Sequence, residues 1–200
     1  MAGSVAIVAH SIEEALVHLE QSKREHVDLI KLMITGGVMD AKEKGAPGEL
    51  KMSPDMVKAV CDKAHKLGYL VAAHVESPEG VKVAVENDIP VVLGNDVGCP
   101  WITQYDFWRE FYYFYKYVGV SNAFALYTAT ARSAEMAGIG NVTGTIAPGK
   151  CADLIVTKKN PMKDLRSLRN IDMVVTRGKM IEHPQVRIRK QVEEELDKFI

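Results

Sequence analysis

The chain has 200 residues, 47% hydrophobic and 26% charged, a composition typical of a globular protein with one domain and at most a small appendage. It is shorter than the roughly 250 residues of a full eight-stranded α/β barrel. The formal net charge of −1 lacks the basic excess that nucleic-acid binding usually requires, which disfavours nucleic acid as a partner. No apolar run approaches the roughly 18 residues of a membrane span. Three isolated cysteines and a start without a positively charged leader favour the cytoplasm.

The first 95 residues alternate between helical and strand patterns. Ser11 and Glu14 form a capping box before a predicted helix over residues 12–25, and the apolar run 27–34 predicts a strand covered on both faces. The further elements expected here are a helix from Ser53-Pro54 to Gly68, a strand over 69–75, a helix from Ser77-Pro78 to Asn87 and a strand over 89–93. Strands separated by helices pair in parallel, so this part is predicted to be α/β.

The second half changes in character after Gly140. Helices are predicted over residues 104–117 and 122–137, and short strands over 144–146, 152–156, 173–176 and 179–181. Residues 191–200 are expected to form a charged helix or a frayed tail. An aromatic stripe at helical spacing is most simply a buried face, and its members are Trp101, Tyr105, Trp108, Tyr112 and Tyr115. We therefore expect an α/β domain over 1–140 and a β segment with a terminal helix over 141–200.

Three polar residues lie towards the carboxyl ends of the three predicted strands, where parallel sheets build their sites: Lys31, His74 and Asp96. Histidine and aspartate are ordinary ligands of divalent metals. Lysine is a poor ligand while protonated, and a lysine inside a covered strand needs a special reason, because burial favours its neutral, reactive amine.

Each of these residues alone has a simpler interpretation. Lys31 could extend to solvent, His74 could be a hydrogen-bonded core histidine, and Asp96 could cap a turn. Gly36-Gly37 could face a substrate or form a plain turn. The sequence contains no phosphate-binding glycine motif and no Gly-x-Ser-x-Gly elbow, so the three strand-end residues stay the best candidates.

Four segments resemble the metal-dependent amidohydrolases, in particular their imidazolonepropionase-like and Xaa-Pro dipeptidase (prolidase)-like branch. The segments are Asp28–Gly37 (DLIKLMITGG), Ala72–Glu76 (AAHVE), Val91–Asp96 (VVLGND) and Gly144–Leu154 (GTIAPGKCADL). The last segment is the most specific, and in this family it leads into a small β domain beside a TIM-like (β/α) barrel. The resemblance implies a partial barrel of this kind with a small C-terminal β unit.

The resemblance also implies site roles. Lys31 is similar to the strand-four lysine that carbon dioxide carbamylates, so that its new carboxylate bridges two metal ions. His74 is similar to the strand-five metal ligand, and Asp96 to the strand-eight aspartate that binds metal and takes a proton from the attacking water. A divalent cation, zinc above all, would lower the pKa of its bound water and supply hydroxide to an amide carbonyl.

Parts of the family pattern are absent. The sequence has no His-x-His motif and no strand-six histidine, and only 22 positions separate His74 from Asp96, where family members have two further strand–helix units. Strands one to three, six and seven have no counterpart. Neither metal site of the family is therefore complete, because a catalytic zinc normally keeps three protein ligands.

Two functions follow from different classes. The first is an enzyme that hydrolyses amide or peptide-like C–N bonds of a small molecule or dipeptide with a metal-activated water. The second is an inactive, shortened relative that persists as a folded or assembly-dependent domain. Either way a partial barrel exposes sheet edges and apolar surface, so we expect a homo-oligomer or association through those surfaces, without nucleic acid or membrane as partner.

Overall fold

The structure, a computed structural model, describes residues 7–37, 42–43, 46, 48–95, 97–98 and 102–200. It forms two compact units, Met1–Val91 and Val92–Ile200. The domain boundary expected at residue 140 stays a prediction. Among the described residues, none of the helices combines the length and the apolar character needed to span a bilayer.

The first unit contains the predicted order of helix, strand, helix, strand and helix. Its elements are α1 (Ile12–Arg24), β1 (Leu29–Met33), α2 (Pro54–Lys66), β2 (Leu70–His74) and α3 (Pro78–Glu86). Each helix begins at a serine whose Oγ accepts the backbone N–H three residues later, from Glu14, Met56 and Gly80 respectively. These caps satisfy backbone donors that the first helical turn leaves free, so the helices start where the sequence predicts.

The two strands of this unit form a parallel pair. The register places Leu29 opposite Leu70 and Met33 opposite His74. One face of the pair packs on the helices, and its core includes Leu32, Ile34 and Val71, each at most 6% exposed. Burial of this apolar face stabilises the unit, because every fully buried aliphatic side chain contributes about 1.5–3 kcal/mol.

The other face of the sheet is open, which corrects the expectation of a strand covered on both sides. Leu29 is 48% exposed, Met33 38% and Leu70 70%. Lys31 alternates with Leu29 and Met33 along β1 and is also exposed. The apolar run correctly predicted a strand, but an apolar pattern does not specify whether a second layer covers it.

The third strand, expected over residues 89–93, is absent: residues 89–95 have no regular secondary structure. Only Ile89 is buried in this stretch, in the core beside α3. A strand is defined by its hydrogen-bonded neighbour, and the resemblance would place this strand between strands one and seven, which have no counterpart here. The apolar pattern alone could not supply that neighbour.

The second unit contains short helices and a small antiparallel sheet. Its first part is helical: α4 (Trp108–Tyr113) continues as a π-helical turn (Phe114–Val118), α5 (Asn122–Tyr127) continues as a second π-helical turn (Thr128–Arg132), and α6 (Ser133–Met136) follows. The sheet strands are β3 (Leu154–Thr157), β4 (Ile171–Thr176) and β5 (Lys179–Glu182), with a 3₁₀ turn (Leu165–Arg169) between the first two. The chain ends with α7 (Lys190–Leu196) and a 3₁₀ turn (Asp197–Phe199). The strand order is β3-β4-β5. The small β unit and the terminal helix are thus confirmed, whereas the strand predicted over 144–146 is absent.

The aromatic helix buries a different face from the one predicted. Trp108, Phe111 and Phe114 are buried, but Tyr115 is 47% exposed and Trp101 lies outside the described residues. The helix also begins at Trp108 rather than at residue 104, because the preceding residues form a turn in which the Thr103 hydroxyl donates to Asp106. The spacing of aromatics was compatible with several faces, and tertiary packing selected one.

A buried ion network joins α7 to α4. Arg109, only 2% exposed, lies 3.2 Å from carboxylate oxygens of Asp106 and Glu193 and 2.8 Å from Asp197. Arg169 pairs with the same two C-terminal carboxylates, at 2.5 Å from Glu193 and 3.0 Å from Asp197. Charged groups survive burial only when they are paired in this way.

The two C-terminal carboxylates of this network have opposite pKa shifts. Burial, reinforced by the neighbouring Asp106, raises the pKa of Glu193 above its ordinary value. Burial also acts to raise the pKa of Asp197, but hydrogen bonds from Arg109 and Arg169 outweigh it and hold that pKa below its ordinary value. The two arginines therefore favour the ionised form of Asp197, whereas burial and Asp106 oppose ionisation of Glu193.

Candidate functional site

The predicted site residues of the first unit lie on neighbouring strands. His74 is the last residue of β2, as predicted, whereas Lys31 is in the middle of β1 and not towards its carboxyl end. The register pairs Lys31 with Ala72 and His74 with Met33, so both site residues are on the same, open face of the sheet. Parallel-strand spacing puts their Cα atoms roughly 8 Å apart. Asp96 lies outside the described residues.

Lys31 is exposed, which corrects the argument that burial makes its amine reactive. The lysine lies on the face of the sheet where its described neighbours Leu29, Met33 and Leu70 are also exposed. A carbamate at Lys31 is therefore supported by the resemblance and by its place beside His74, and not by a low-polarity environment.

His74 has a close carboxylate neighbour that the sequence analysis did not single out. Its Nε2 atom lies 3.2 Å from Oε1 of Glu76, and the two side chains are 25% and 33% exposed. The Nε2 atom itself is buried and has no hydrogen-bond partner. The arrangement leaves an imidazole nitrogen beside a carboxylate without the geometry of a hydrogen bond.

The turn after β1 fixes this pair in place. Thr35 is fully buried, and its Oγ1 accepts the backbone N–H of Glu76 at 2.8 Å, while its own N–H donates to the carbonyl of His74 at 3.4 Å. A Cβ on Gly37 would lie 3.4 Å from Glu76 Oε1 and 3.7 Å from His74 Nε2. Gly37 therefore lies directly against the pair, and its missing side chain keeps the space beside it open.

Glu76 could have been found from the sequence. Residues two apart in an extended chain project to the same side, so a carboxylate at position 76 belongs beside a histidine at position 74. Glu76 also lies inside the AAHVE segment that carries the resemblance. A search restricted to strand ends does not reach Glu76, because this residue follows the last residue of β2 by two positions.

The side chains of His74 and Glu76 supply part of the ligand set that a metal ion needs. Within the described ranges, no three histidine, cysteine, aspartate or glutamate side chains come together as a candidate metal cluster. The orphaned, buried Nε2 of His74 and the adjacent Glu76 carboxylate do suit a divalent cation, since imidazole and carboxylate are its common ligands. Lys31 would add a third ligand, through an oxygen atom, only as a carbamate.

An open cleft of about 680 Å³ lies elsewhere in the first unit. Its lining residues are Lys42, Glu43, Ala46, Gly48, Glu49, Leu50, Ser77 and Glu79. Neither Lys31 nor His74 contributes to it. The chemistry-bearing residues are thus on an open face of the sheet and outside this cleft.

Two other candidate groups have structural roles. Burial, with Asp62 and Asp88 nearby, raises the pKa of the Cys61 thiol to about 11, so Cys61 is not a thiolate nucleophile at neutral pH. Asp153, in the most specific segment of the resemblance, accepts the Thr143 hydroxyl at 3.1 Å and the Arg177 backbone N–H at 2.8 Å. Its contact with Arg177 anchors the turn between β4 and β5.

Two parallel strands joined by a helix, with a lysine in the middle of one strand and a histidine at the end of the next on the same face, define part of an α/β barrel of the kind that builds enzyme sites. Residues 79–181 match the model of the amidohydrolase family, just over half of the chain. The chain belongs to the amidohydrolase family. The described residues form a part of the barrel and do not close it.

Solved structures agree with this fold. A "putative prolidase" from Bifidobacterium longum is 25% identical, with a TM-score of 0.61 over 99% of this chain and 67% of that chain. A Xaa-Pro dipeptidase with bound methionine in its active site is 23% identical, with a TM-score of 0.52 over 88% of this chain and 59% of that one. Molinate hydrolase is 16% identical, with a TM-score of 0.50 over 90% and 58%. No curated protein matches the chain.

Proposed function

We propose that this protein is a metal-dependent hydrolase of amide or peptide-like C–N bonds. Its family is one of hydrolases. The observation that carries the finer proposal is the unpartnered Nε2 of His74, buried on the same sheet face as Lys31. A buried nitrogen without a partner costs free energy, and a divalent cation would remove that cost.

Each predicted residue has a distinct part in this chemistry. His74 would hold the cation, most simply zinc, through Nε2. Lys31 would join it after its neutral amine adds carbon dioxide and releases one proton to solvent, which leaves a carbamate anion. A bound divalent cation lowers the pKa of its water to about 7. Asp96, whose role rests on the resemblance, would accept a proton from the attacking water and donate it to the leaving nitrogen.

A dipeptide or similarly small amide is the proposed substrate class. Support comes from the 25%-identical "putative prolidase", whose fold covers nearly all of this chain. The chain spans 67% and 59% of the length of the first two solved relatives, so the activity of those whole proteins is carried over here as a proposal. A cytoplasmic location and a homo-oligomer remain predictions.

The open sheet face favours the second candidate, a folded domain without activity of its own. Hydrolytic sites exclude bulk water to strengthen their electrostatic interactions, whereas Leu70 on this face is 70% exposed. On this alternative the chain would keep its fold and ligands but gain a site only in an assembly.

Hydrolysis of a panel of dipeptides, including Xaa-Pro dipeptides, by the zinc- and bicarbonate-loaded chain tests the proposal. We expect turnover that a chelator abolishes and that Asp96→Asn lowers by at least about 100-fold, the scale of a lost acid–base group. Asp62→Asn, the same change at an exposed helical position, should retain full activity. Equal rates in Asp96→Asn and Asp62→Asn would refute the role of Asp96, and no turnover at all would favour the inactive domain.

A further inference from the structure

We infer that Glu76 is a further protein ligand on the cation that His74 binds, an assignment that rests on the proposed function and adds to its residues Lys31, His74 and Asp96. The inference starts from a distance. Nε2 of His74 and Oε1 of Glu76 lie 3.2 Å apart and form no hydrogen bond.

That separation is the spacing of two ligands around one tetrahedral ion. Zinc binds nitrogen at about 2.0–2.1 Å and carboxylate oxygen at about 2.0–2.2 Å, so two such ligands at a tetrahedral angle lie about 3.3 Å apart. The observed 3.2 Å therefore needs almost no movement to accept the ion. A charge-assisted hydrogen bond would instead be shorter, about 2.7–2.9 Å, and aligned with the N–H bond.

The surroundings hold the pair in this arrangement. The buried hydroxyl of Thr35 accepts the backbone N–H of Glu76, which fixes the chain directly after β2. Gly37 lies within 4 Å of both side chains, measured from the position of an added Cβ, so any larger residue would occupy the space beside the two ligand atoms. Both features pre-organise the pair and lower the cost of binding an ion.

The donor set indicates the class of cation. One imidazole and one carboxylate suit zinc, manganese or iron and lack the thiolate that selects copper(I). The family pattern places its ligands at the strand ends themselves, and Glu76 lies two residues beyond His74, past the end of β2. Glu76 would thus compensate in part for ligands that this sequence lacks.

The affinity of the full chain for Zn²⁺, measured by competition with a chromophoric chelator, tests the assignment. The two interpretations of Glu76 predict different directions for the change in this affinity in Glu76→Gln. If Glu76 is a ligand, Glu76→Gln should weaken Zn²⁺ binding by at least about tenfold. If Glu76 is an ion-pair partner of His74, it competes with the metal for Nε2, and Glu76→Gln should leave the affinity unchanged or raise it. The second result would overturn the inference.

Matched variants separate this inference from the proposed function. Glu86→Gln makes the same change on an exposed glutamate at the end of α3 and should bind Zn²⁺ like the wild type. His74→Ala should lose binding together with Glu76→Gln. If His74→Ala loses Zn²⁺ while Glu76→Gln keeps it, the proposed function stands and only the role of Glu76 fails. If the wild-type chain binds no Zn²⁺, both fail. Circular dichroism of each variant confirms that the comparison is made on folded protein.

Discussion

Arg109 shows at the scale of one residue how charge is used inside the second unit. It is 2% exposed, and it contacts Asp106, Glu193 and Asp197 as well as the ring of Trp108, whose centroid lies 4.6 Å from its guanidinium carbon. Removing one partner from a buried ion pair leaves uncompensated charge in a place that water cannot reach. The loss of Arg109 would therefore act mainly through the buried carboxylates that it leaves less fully compensated, and less through the loss of a net attraction.

Replacing Arg109 by alanine should lower the free energy of unfolding by about 3–5 kcal/mol, because Asp106 would lose its arginine and the carboxylates of Glu193 and Asp197 would keep only Arg169. Urea unfolding followed by tryptophan fluorescence measures this, since Trp108 lies against the arginine. Arg132→Ala is the matched control: its ion pair with Glu135 is exposed and should contribute less than about 1 kcal/mol. Similar losses in both variants would contradict the network's role.

At the scale of elements, local chemistry explains which predictions succeeded. Ser11, Ser53 and Ser77 cap their helices through contacts only three residues away, so the sequence nearby contains the whole signal. Two predictions failed, namely the burial of Lys31 and a strand over residues 89–93. Both depend on packing partners that are not adjacent in the sequence. Apolar runs report that a segment is suited to burial, but not which neighbour covers it.

The segment before β3 contains two glycines that separate the cost of a left-handed backbone from the cost of a steric clash. Gly144 and Gly149 both have left-handed backbone, with φ of +89° and +86°. A Cβ at Gly144 would lie 2.4 Å from the Cβ of Ala134, whereas one at Gly149 would meet nothing within 4 Å.

Gly149→Ala should therefore cost about 1–2 kcal/mol from the left-handed backbone alone. Gly144→Ala should cost clearly more, because its new methyl group must also displace α6. Thermal or urea unfolding of the two variants compares them directly. Equal destabilisation would show that α6 shifts freely and that the close contact at Gly144 does not constrain this segment.

At the scale of the whole molecule, the open face of the β1–β2 sheet is the feature that most affects behaviour in solution. Leu29, Met33 and Leu70 form an apolar surface around Lys31, and neighbouring exposed apolar side chains of this kind commonly mark interaction sites. The chain shares the amidohydrolase fold over its length but spans only part of its solved relatives. The open face that carries Lys31 and His74 is thus also the apolar surface that a second molecule would cover.

We expect the chain to self-associate through this face. Gel filtration at increasing concentration should show species larger than a monomer, and Leu70→Lys should shift them towards the monomer by placing charge on a residue that is 70% exposed. Val17→Lys, on an α1 residue that is 62% exposed, is the matched control and should leave the distribution unchanged. A wild-type monomer at all concentrations would contradict this expectation.

The measurement that tests the central claim most directly is the metal content per chain, by elemental mass spectrometry, after expression with zinc and bicarbonate. If Lys31 and His74 hold a cation together, the wild type should carry about one zinc or more. Lys31→Ala should lose it, and Lys66→Ala, at an exposed position at the end of α2, should keep it. Wild-type protein with no more zinc than Lys31→Ala would show that these residues form no metal site in this chain.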